Sequence, residues 1–474
     1  MRMTVFGTGY LGATHAACMA ELGHEVLGVD VDEAKIKSLT EGRVPFFEPG
    51  LPEILERNLA NGRLRFTTDY GEAAQFATTH FVGVGTPQRK NSYAADTTYV
   101  EAVIRDLAPL VEGRHTVLGK STVPVGTAQR LQAVADDLVA SNSSDKVSGA
   151  DDAHGDSAGE QGEGTSLEIA WNPEFLREGH AVKDTLQPDR IVLGVREKDS
   201  RAEEIAREIY ADALQADTPF LVVDLPTAEL VKVSANAFLA TKISFINAVS
   251  EICETVGADV TALADAIGHD ERIGRKFLGA GLGFGGGCLP KDIRAFMARA
   301  GELGADQAMS FLREVDAINM RRREKMVELA RQHLGGSVLG HNITVLGAAF
   351  KPNSDDVRDS PALNVAGSLS LGGANVTVYD PEAMDNAQRV FPTLTYASSV
   401  QEALDGAELV LVATEWQEFR DLDPAAVYDL VAKDVMADSV TGEQRRPVII
   451  DGRNCLNHEA WQAAGWTVRA LGRG

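Results

Sequence analysis

A single cysteine behind a run of glycines is the residue of this chain best suited to covalent chemistry. Cys288 lies in the stretch Gly281-Leu-Gly-Phe-Gly-Gly-Gly-Cys-Leu-Pro-Lys-Asp292. Pro290 fits the first turn of a helix, and apolar residues then recur at helical spacing, so we expect Cys288 at a helix N-terminus. The helix macrodipole there favours a thiolate. A thiolate can add to an aldehyde and permit a second oxidation at that carbon. A lone cysteine can equally be a small buried hydrophobe.

A dinucleotide-binding pattern stands at the other end of the chain. Gly7-Thr-Gly9-Tyr10-Leu11-Gly12 follows a strand pattern and opens a helical one, and Asp30 closes the next strand pattern. Glycines at this spacing let a pyrophosphate approach the backbone at a helix N-terminus. A carboxylate at Asp30 would bind ribose hydroxyls and repel a 2′-phosphate, so the pattern predicts NAD rather than NADP. The alternative is a glycine-rich turn that holds no ligand.

Two further stretches carry polar groups that an ordinary core would not accept. Glu174 and Glu178 follow a strand pattern, where the carboxyl edge of a doubly wound sheet holds ligands. Lys232 and Asn236 are four residues apart on a long helical pattern and therefore share one face. Taken singly, each has an ordinary explanation as a solvated carboxylate, a snorkelling lysine or a satisfied amide.

The elements that must position these residues alternate between short apolar strands and helices, which predicts an α/β protein with two doubly wound parallel sheets. We expect an NAD-binding Rossmann domain over 1–224, a central helical domain over 225–335 whose long helix offers a dimerisation face, and a second Rossmann-like domain over 336–474. One long helix is predicted from about Thr227 to about Gly257. Residues 141–166 are rich in Ser, Gly, Asp and Glu, which predicts a flexible acidic insertion.

Composition narrows the classes of protein to which the chain can belong. The formal charge is -24, which argues against a nucleic-acid binder. Acidic residues are abundant and arginines outnumber lysines, as in proteins from salt-rich cytoplasm. No apolar run is long enough to suggest a membrane span or a signal peptide. The cysteines show neither metal-ligand pairing nor a disulfide framework, so we expect no metal and a cytoplasmic setting; they are Cys18, Cys253, Cys288 and Cys455.

Taken in order, these motifs resemble the UDP-glucose 6-dehydrogenase family, within the nucleotide-sugar dehydrogenases that oxidise a hexose C6 alcohol to a carboxylate. The resemblance covers nearly the whole chain. It runs through Gly7–Gly12, Val84–Pro87, Lys120–Gly126, Asn172–Gly179, Pro188–Val192, Glu229–Ala240, Phe284–Asp292, Ala349–Lys351 and Asp451–Arg453.

The resemblance implies a role for each matching residue in the reaction. Cys288 would form a thiohemiacetal with the C6 aldehyde and, after a second hydride transfer, a thioester. Lys232 and Asn236 would stabilise oxyanions at C6. Glu174 would activate the water that hydrolyses the thioester. Asp292 would position Lys232 or a water, and Thr122 would also belong to the catalytic residues. Whether Lys232 or Asp292 takes the first proton stays open.

The resemblance also implies that the domain over 225–335 carries the active site, that the domain over 336–474 binds the UDP-sugar, and that there are two binding sites. NAD would contact the glycine turn, with Tyr10 and Leu11, and a further set made of Asp30, Lys35, Thr86, Thr122, Glu178 and Arg358. UDP-glucose would contact Glu174, Phe175, Leu176, Lys232, Asn236, Arg272, Phe277, Gly285, Phe350, Lys351 and Arg453. Arg272 would come from a partner subunit, which together with the long helix implies a homodimer or higher homo-oligomer. Cationic groups suit the diphosphate on an otherwise acidic protein.

Several alternatives remain beside this interpretation. GDP-mannose 6-dehydrogenases share the Cys-Leu-Pro-Lys-Asp stretch, but the loop Ile267–Leu278 resembles the UDP-glucose members. The UDP-N-acetylhexosamine branch carries a different cysteine motif. Gly279 departs from some UDP-glucose members, which have a lysine there. A two-electron hydroxyacid dehydrogenase would need no thiol, and a silent NAD-binding module would show no turnover.

Overall fold

The computed structural model describes residues 1–148, 164–431 and 446–473, and the chain divides into two compact units. The units are Met1–Ala235 and Asn236–Gly474. The boundary falls inside one continuous helix, Leu225–Val256, which confirms the predicted long helix.

The first unit is built on an eight-stranded sheet whose strands follow β1 to β8 along the chain. They are β1 Arg2–Phe6, β2 Glu25–Val29, β3 Leu64–Thr67, β4 Thr79–Val82, β5 Arg114–Gly119, β6 Ser166–Trp171, β7 Ile191–Val195 and β8 Phe220–Asp224. Their order across the sheet is β3-β2-β1-β4-β5-β6-β7-β8. Neighbours run parallel except β6 and β7, which pair antiparallel at Trp171 and Gly194. The predicted parallel doubly wound sheet is confirmed apart from this reversal.

Helices cover this sheet, as βαβ crossovers require. They are α1 Tyr10–Glu21, α2 Glu33–Thr40, α3 Leu51–Ala60, α4 Tyr70–Phe76, α5 Thr98–Leu107, α6 Thr127–Ser148, α7 Ala181–Leu186, α8 Arg201–Ile209 and α9 Ala211–Gln215, with a 3-10 turn at Ala108–Leu110. Two apolar clusters result, one containing Met3 and Leu118 and the other Phe6 and Val117. The strands therefore read as nearly continuous Val, Ile and Leu runs, because neighbouring residues are buried on opposite faces.

The second unit holds a six-stranded, fully parallel sheet in the order β11-β10-β9-β12-β13-β14. The strands are β9 Asn342–Leu346, β10 Asn375–Tyr379, β11 Thr395–Tyr396, β12 Leu409–Val412, β13 Val448–Asp451 and β14 Thr467–Ala470. The helices are α10 Leu225–Val256, shared with the first unit, α11 Val260–Gly268, α12 Leu289–Glu302, α13 Phe311–His333, α14 Pro361–Leu371, α15 Met384–Val390, α16 Val400–Leu404, α17 Gln417–Arg420, α18 Pro424–Tyr428 and α19 His458–Ala463, with a 3-10 turn at Asp306–Met309.

An aspartate follows the second strand of this sheet, as Asp30 does in the first. Asp380 is 1 % exposed, and its carboxylate accepts hydrogen bonds from the amides of Ala348 and Ala349 and from the Trp416 indole, at 2.7, 3.0 and 2.9 Å. Its other oxygen accepts from the amides of Glu382 and Ala383. This carboxylate is thus satisfied within its own unit.

The predicted bounds of the flexible insertion, 141–166, are wrong at both ends. Helix α6 continues to Ser148 and strand β6 begins at Ser166. The buried Leu131, Ala135 and Val139 carry the helical apolar pattern up to the polar stretch, into which the helix extends. Residues 149–163, where the rest of that prediction falls, lie outside the described residues. No helix of the described ranges is long and apolar enough to cross a membrane.

Candidate active site

The glycine turn in the first unit has the geometry of a phosphate-binding helix start. Helix α1 begins at Tyr10 after Gly9, and no side chain caps its N-terminal amides. A Cβ on Gly12 would lie 1.7 Å from the carbonyl oxygen of Gly7, so only glycine allows the helix to approach the turn. Uncapped N–H groups at such a helix start suit a pyrophosphate. These residues therefore fit the NAD that the pattern predicts.

Asp30 stands at the carboxyl end of β2, beside this turn. Its Oδ2 accepts hydrogen bonds from the Thr8 amide and from the Lys35 ammonium, both at 2.8 Å. Burial works to raise the pKa of the Asp30 carboxyl, but Lys35 and the Thr8 amide outweigh it, so the pKa lies below its ordinary value. Asp30 is therefore an ionised acceptor at neutral pH, as recognition of ribose hydroxyls requires.

Two other predicted NAD contacts meet between the ends of β4 and β5. The Thr86 hydroxyl donates to the Thr122 carbonyl at 2.7 Å, which joins the two loops.

The sequence did not single out Glu48, whose buried carboxylate accepts from the Tyr10 hydroxyl and from the Gly179 amide, the latter at 2.7 Å. Glu48 thereby ties the glycine turn to the loop that carries Glu178. A lone glutamate between Phe47 and Pro49 gives no signal of this, because both partners are distant in sequence.

Lys232 and Glu174 form a nearly buried ion pair in the first unit. The Lys232 ammonium lies 2.9 Å from Glu174 Oε1, with the two side chains 6 % and 13 % exposed. Glu174 Oε2 accepts from the Leu176 amide at 2.6 Å, and Lys232 lies 5.7 Å from the centre of the Phe175 ring. The structure thus brings together four of the predicted residues, a base and a cation among them.

Cys288, Asp292 and Asn236 are brought together in the second unit. Cys288 is the N-cap of α12 and is exposed, which confirms the predicted helix N-terminus. The Asp292 amide donates to the Cys288 carbonyl at 2.9 Å, and its carboxylate accepts from the Asn236 amide group at 2.6 Å. The Lys291 ammonium forms an ion pair with Asp292 Oδ1 at 2.7 Å.

Residues that follow β9 and β13 pack against the glycine run before Cys288. A Cβ on Gly287 would lie 2.3 Å from the Arg358 guanidinium carbon, so glycine is needed where this side chain crosses the loop. Arg453 donates to the carbonyls of Gly283 and Phe350, at 2.8 and 3.3 Å. The structure therefore gives Arg453 a role in holding the glycine run; its predicted contact with a diphosphate stays a prediction.

The remaining predicted substrate residues are less closely gathered. Arg272 is 89 % exposed and pairs with Asp270 at 2.7 Å. Phe277 has a φ of 65° and is partly exposed on the same loop. Lys351 lies 5.2 Å from the centre of the Phe350 ring, and a Cβ on Gly285 would meet the Asp359 carbonyl oxygen at 2.4 Å. The described residues hold no cluster of three or more side chains that could bind a metal.

A small cavity behind Glu174 contains residues to which sequence reasoning gave no role. It has a volume of about 50 Å³, and Lys120 and His15 line it beside Glu174 and Tyr210. Burial lowers the pKa of Lys120 to about 7, while the charge of Glu174 acts in the opposite sense. Burial first, and Lys120 second, hold the pKa of His15 well below its ordinary value. Lys120 begins the motif Lys120–Gly126, but only the packing of the folded chain shows that its ammonium is buried.

Models of one protein family match along the chain in three parts. The NAD binding domain of the UDP-glucose/GDP-mannose dehydrogenase family matches residues 1–214, its central domain 226–321 and its UDP binding domain 344–458.

Individual proteins and solved structures are similar over the full length. A UDP-glucose 6-dehydrogenase of Rhizobium meliloti is 38 % identical, with 100 % of each chain covered. The UDP-glucose 6-dehydrogenase TuaD of Bacillus subtilis is also 38 % identical, with 100 % of this chain and 93 % of that protein covered. A solved UDP-glucose dehydrogenase from the hyperthermophilic archaeon Pyrobaculum islandicum has a TM-score of 0.84 at 37 % identity, covering 100 % of this chain and 98 % of that one.

Proposed function

Because the chain belongs to the UDP-glucose/GDP-mannose dehydrogenase family, whose NAD-binding, central and UDP-binding domains it contains, we propose that it oxidises UDP-glucose to UDP-glucuronate. It is an NAD-dependent oxidoreductase. The choice of UDP-glucose over GDP-mannose is supported by the full-length relatives that carry the name UDP-glucose 6-dehydrogenase.

The observation that carries the proposal is the position of Cys288. It is exposed at the N-terminus of α12, one turn from a buried Asp292 that holds the Asn236 amide. A thiol at a helix start is favoured as thiolate. An exposed thiol beside oriented polar groups is suited to attack, whereas a structural cysteine would be buried among apolar side chains.

In the proposed reaction Lys232 or Asp292 accepts the proton of the C6 hydroxyl during the first oxidation. Bound NAD supplies a hydride acceptor, and two NAD molecules are used in turn for each sugar. The Cys288 thiolate adds to the C6 aldehyde, and a second hydride loss from the adduct leaves a thioester. Lys232 and Asn236 donate hydrogen bonds to the developing oxyanion. Glu174 removes a proton from the water that attacks the thioester, and Cys288 leaves as thiolate.

The test is the number of NADH formed per sugar. We expect two NADH per UDP-glucose from the wild-type enzyme. We expect Cys288→Ser to stall before acid release, because the oxygen ester of a serine forms less readily and hydrolyses less readily than a thioester. Cys253→Ser changes a buried thiol outside the site and serves as the matched control. One NADH per sugar, or normal uronate formation by Cys288→Ser, would exclude the mechanism.

We further propose a homodimer, supported by an apolar stripe on α10. Phe238, Phe245 and Ile252 recur every seven residues and are 67 %, 55 % and 63 % exposed. Large exposed apolar side chains at this spacing are typical of a helix that packs on another copy. A dimer would also allow the exposed Arg272 to act on the substrate of its partner.

The remaining proposals concern the organisation and the setting of the enzyme. We propose the three-domain division at 224/225 and 335/336, which the three family matches support. We also propose that it works among the reduced thiols of a salt-rich cytoplasm, supported by four free cysteines and the charge of -24. Its product is an activated sugar acid, which we propose feeds glycosyltransferases that build cell-surface polysaccharide. Recovery of the native enzyme in the cytosolic fraction checks its location.

A further inference from the structure

Lys120 occupies an environment that an ordinary structural lysine does not have. Its side chain lies 8 % exposed between aromatic rings, with the ammonium 5.5 Å from the centre of Phe81 and 5.6 Å from that of Tyr210. Its ammonium forms no hydrogen bond or ion pair with any other residue that the structure describes. Burying a charged amine in this way is costly unless it is paired or loses its proton.

The cavity that Lys120 lines has room for water. Its volume of about 50 Å³ can hold about three water molecules. His15, which is 2 % exposed, lines the same cavity, and its Nε2 atom lacks a hydrogen-bond partner in the described part of the chain. A buried polar nitrogen without a protein partner is a normal binding point for an internal water. The cavity therefore has the size and the polar lining of a short water chain.

Glu174 connects this cavity to the proposed chemistry. It lines the cavity together with Lys120, and its Oε1 is paired with Lys232 at 2.9 Å. The other charged groups of the lining are Asp184, Asp189 and Arg190. Asp184 is engaged by Arg177, and the Arg190 guanidinium stacks on the Phe175 ring at 3.8 Å. Among the acids of this lining, Glu174 is the one whose charge acts on the Lys120 amine.

We propose that Lys120 is a positioning residue that acts through Glu174, accepting across the cavity the proton that Glu174 takes from the hydrolytic water. This inference rests on the proposed function. In the step, the water oxygen bonds to the thioester carbon, the C–S bond breaks and Cys288 leaves as thiolate. One water proton passes to Glu174 and then through cavity water to the neutral Lys120 amine. Proton uptake by Lys120 leaves Glu174 ionised while the acid departs.

The proposal predicts a selective effect on hydrolysis. In Lys120→Met we expect both hydride transfers to keep their rate, giving a burst of two NADH per site. Turnover after the burst should be at least about tenfold slower, since a proton-transfer partner is lost. Stopped-flow absorbance measures both phases, and mass spectrometry of acid-quenched enzyme should find sugar bound at Cys288. Lys198→Met, on an exposed lysine, is the matched control and should behave as wild type.

A second variant distinguishes proton uptake by the side chain at position 120 from the effects of its positive charge and its packing. Lys120→Arg keeps a cation but cannot give up its proton at neutral pH. We expect it to hydrolyse as slowly as Lys120→Met. Restored turnover in Lys120→Arg would overturn the proposal, as would an equal loss in the burst and in the later turnover.

The wild-type enzyme provides a test that does not depend on how the variants fold. Hydrolysis needs neutral Lys120, so its rate should rise with pH through an inflection near 7 and then level off. The burst should lack this inflection. A hydrolysis rate without an inflection within about one unit of pH 7 would refute the proposal. One NADH per sugar in the wild type would instead refute the proposed function, so the two failures can be told apart.

Discussion

At the scale of single residues, chemistry depends on how each polar group is satisfied. Asp30 stands at the end of β2, where the Thr8 amide and hydroxyl, the Asp32 amide and the Lys35 ammonium donate to its carboxylate and keep it ionised. The sequence was sufficient to predict this residue, because a glycine turn and a strand end fix its place. Lys120 and His15 were beyond sequence reasoning, because their properties arise from Phe81, Tyr210 and Glu174, which lie far away in the chain.

Removing the Asp30 carboxylate should weaken NAD binding and relax the choice of cofactor. In Asp30→Ala we expect the KM for NAD to rise about 10- to 100-fold, the loss of hydrogen bonds to a charged group. NADP should become relatively better because the repulsion of its 2′-phosphate is gone. Steady-state kinetics with both cofactors measures the change. Glu33→Ala, at an exposed neighbouring carboxylate, is the control, and a wild-type preference for NADP would contradict this assignment.

At the scale of elements, helix starts and helix faces were the most predictable features. Pro290 and the apolar spacing after it placed the start of α12 directly behind Cys288, because capping and periodicity are local. The direction of β7 was not predictable. An apolar run buried on both faces reads the same whether the strand runs parallel or antiparallel.

The apolar stripe of α10 can be tested as an element. Phe245→Asp places a charge in the proposed contact between two helices, so we expect the dimer to dissociate and turnover to fall with the loss of Arg272 from the partner. Size-exclusion chromatography with light scattering, followed by assay, measures both. Leu371→Asp changes an apolar side chain that is 93 % exposed on α14 and should leave the assembly intact. A fully active wild-type monomer would rule the dimer out.

At the scale of the whole molecule, the excess of carboxylates matters more than any single ion pair. Most ion pairs of the described residues lie at the surface, where each contributes little. Composition could predict the acidity, and the alternation of strand and helix patterns could predict the fold class. It could not give the boundaries of the acidic segment, because α6 extends into residues whose composition alone reads as a loop.

Salt should therefore stabilise this enzyme. Between low and molar KCl we expect the unfolding midpoint to rise by at least about 2 to 4 °C, which corresponds to about 1 kcal/mol in units of this size. Screening of the net charge of -24 is the physical reason. Calorimetry in KCl measures the shift, with sucrose of equal osmolality as the control. An unchanged midpoint and unchanged activity would exclude adaptation to salt.

The engaged carboxylate of Asp380 has a consequence for the evolution of paired folds. All of its acceptor capacity is taken by its own backbone and by an indole, so an incoming ribose would find no acceptor there. Two similar scaffolds in one polypeptide can thus diverge in ligand without altering their strand order. In the second unit, the carboxylate at this position holds together the loops that follow β9, β10 and β12.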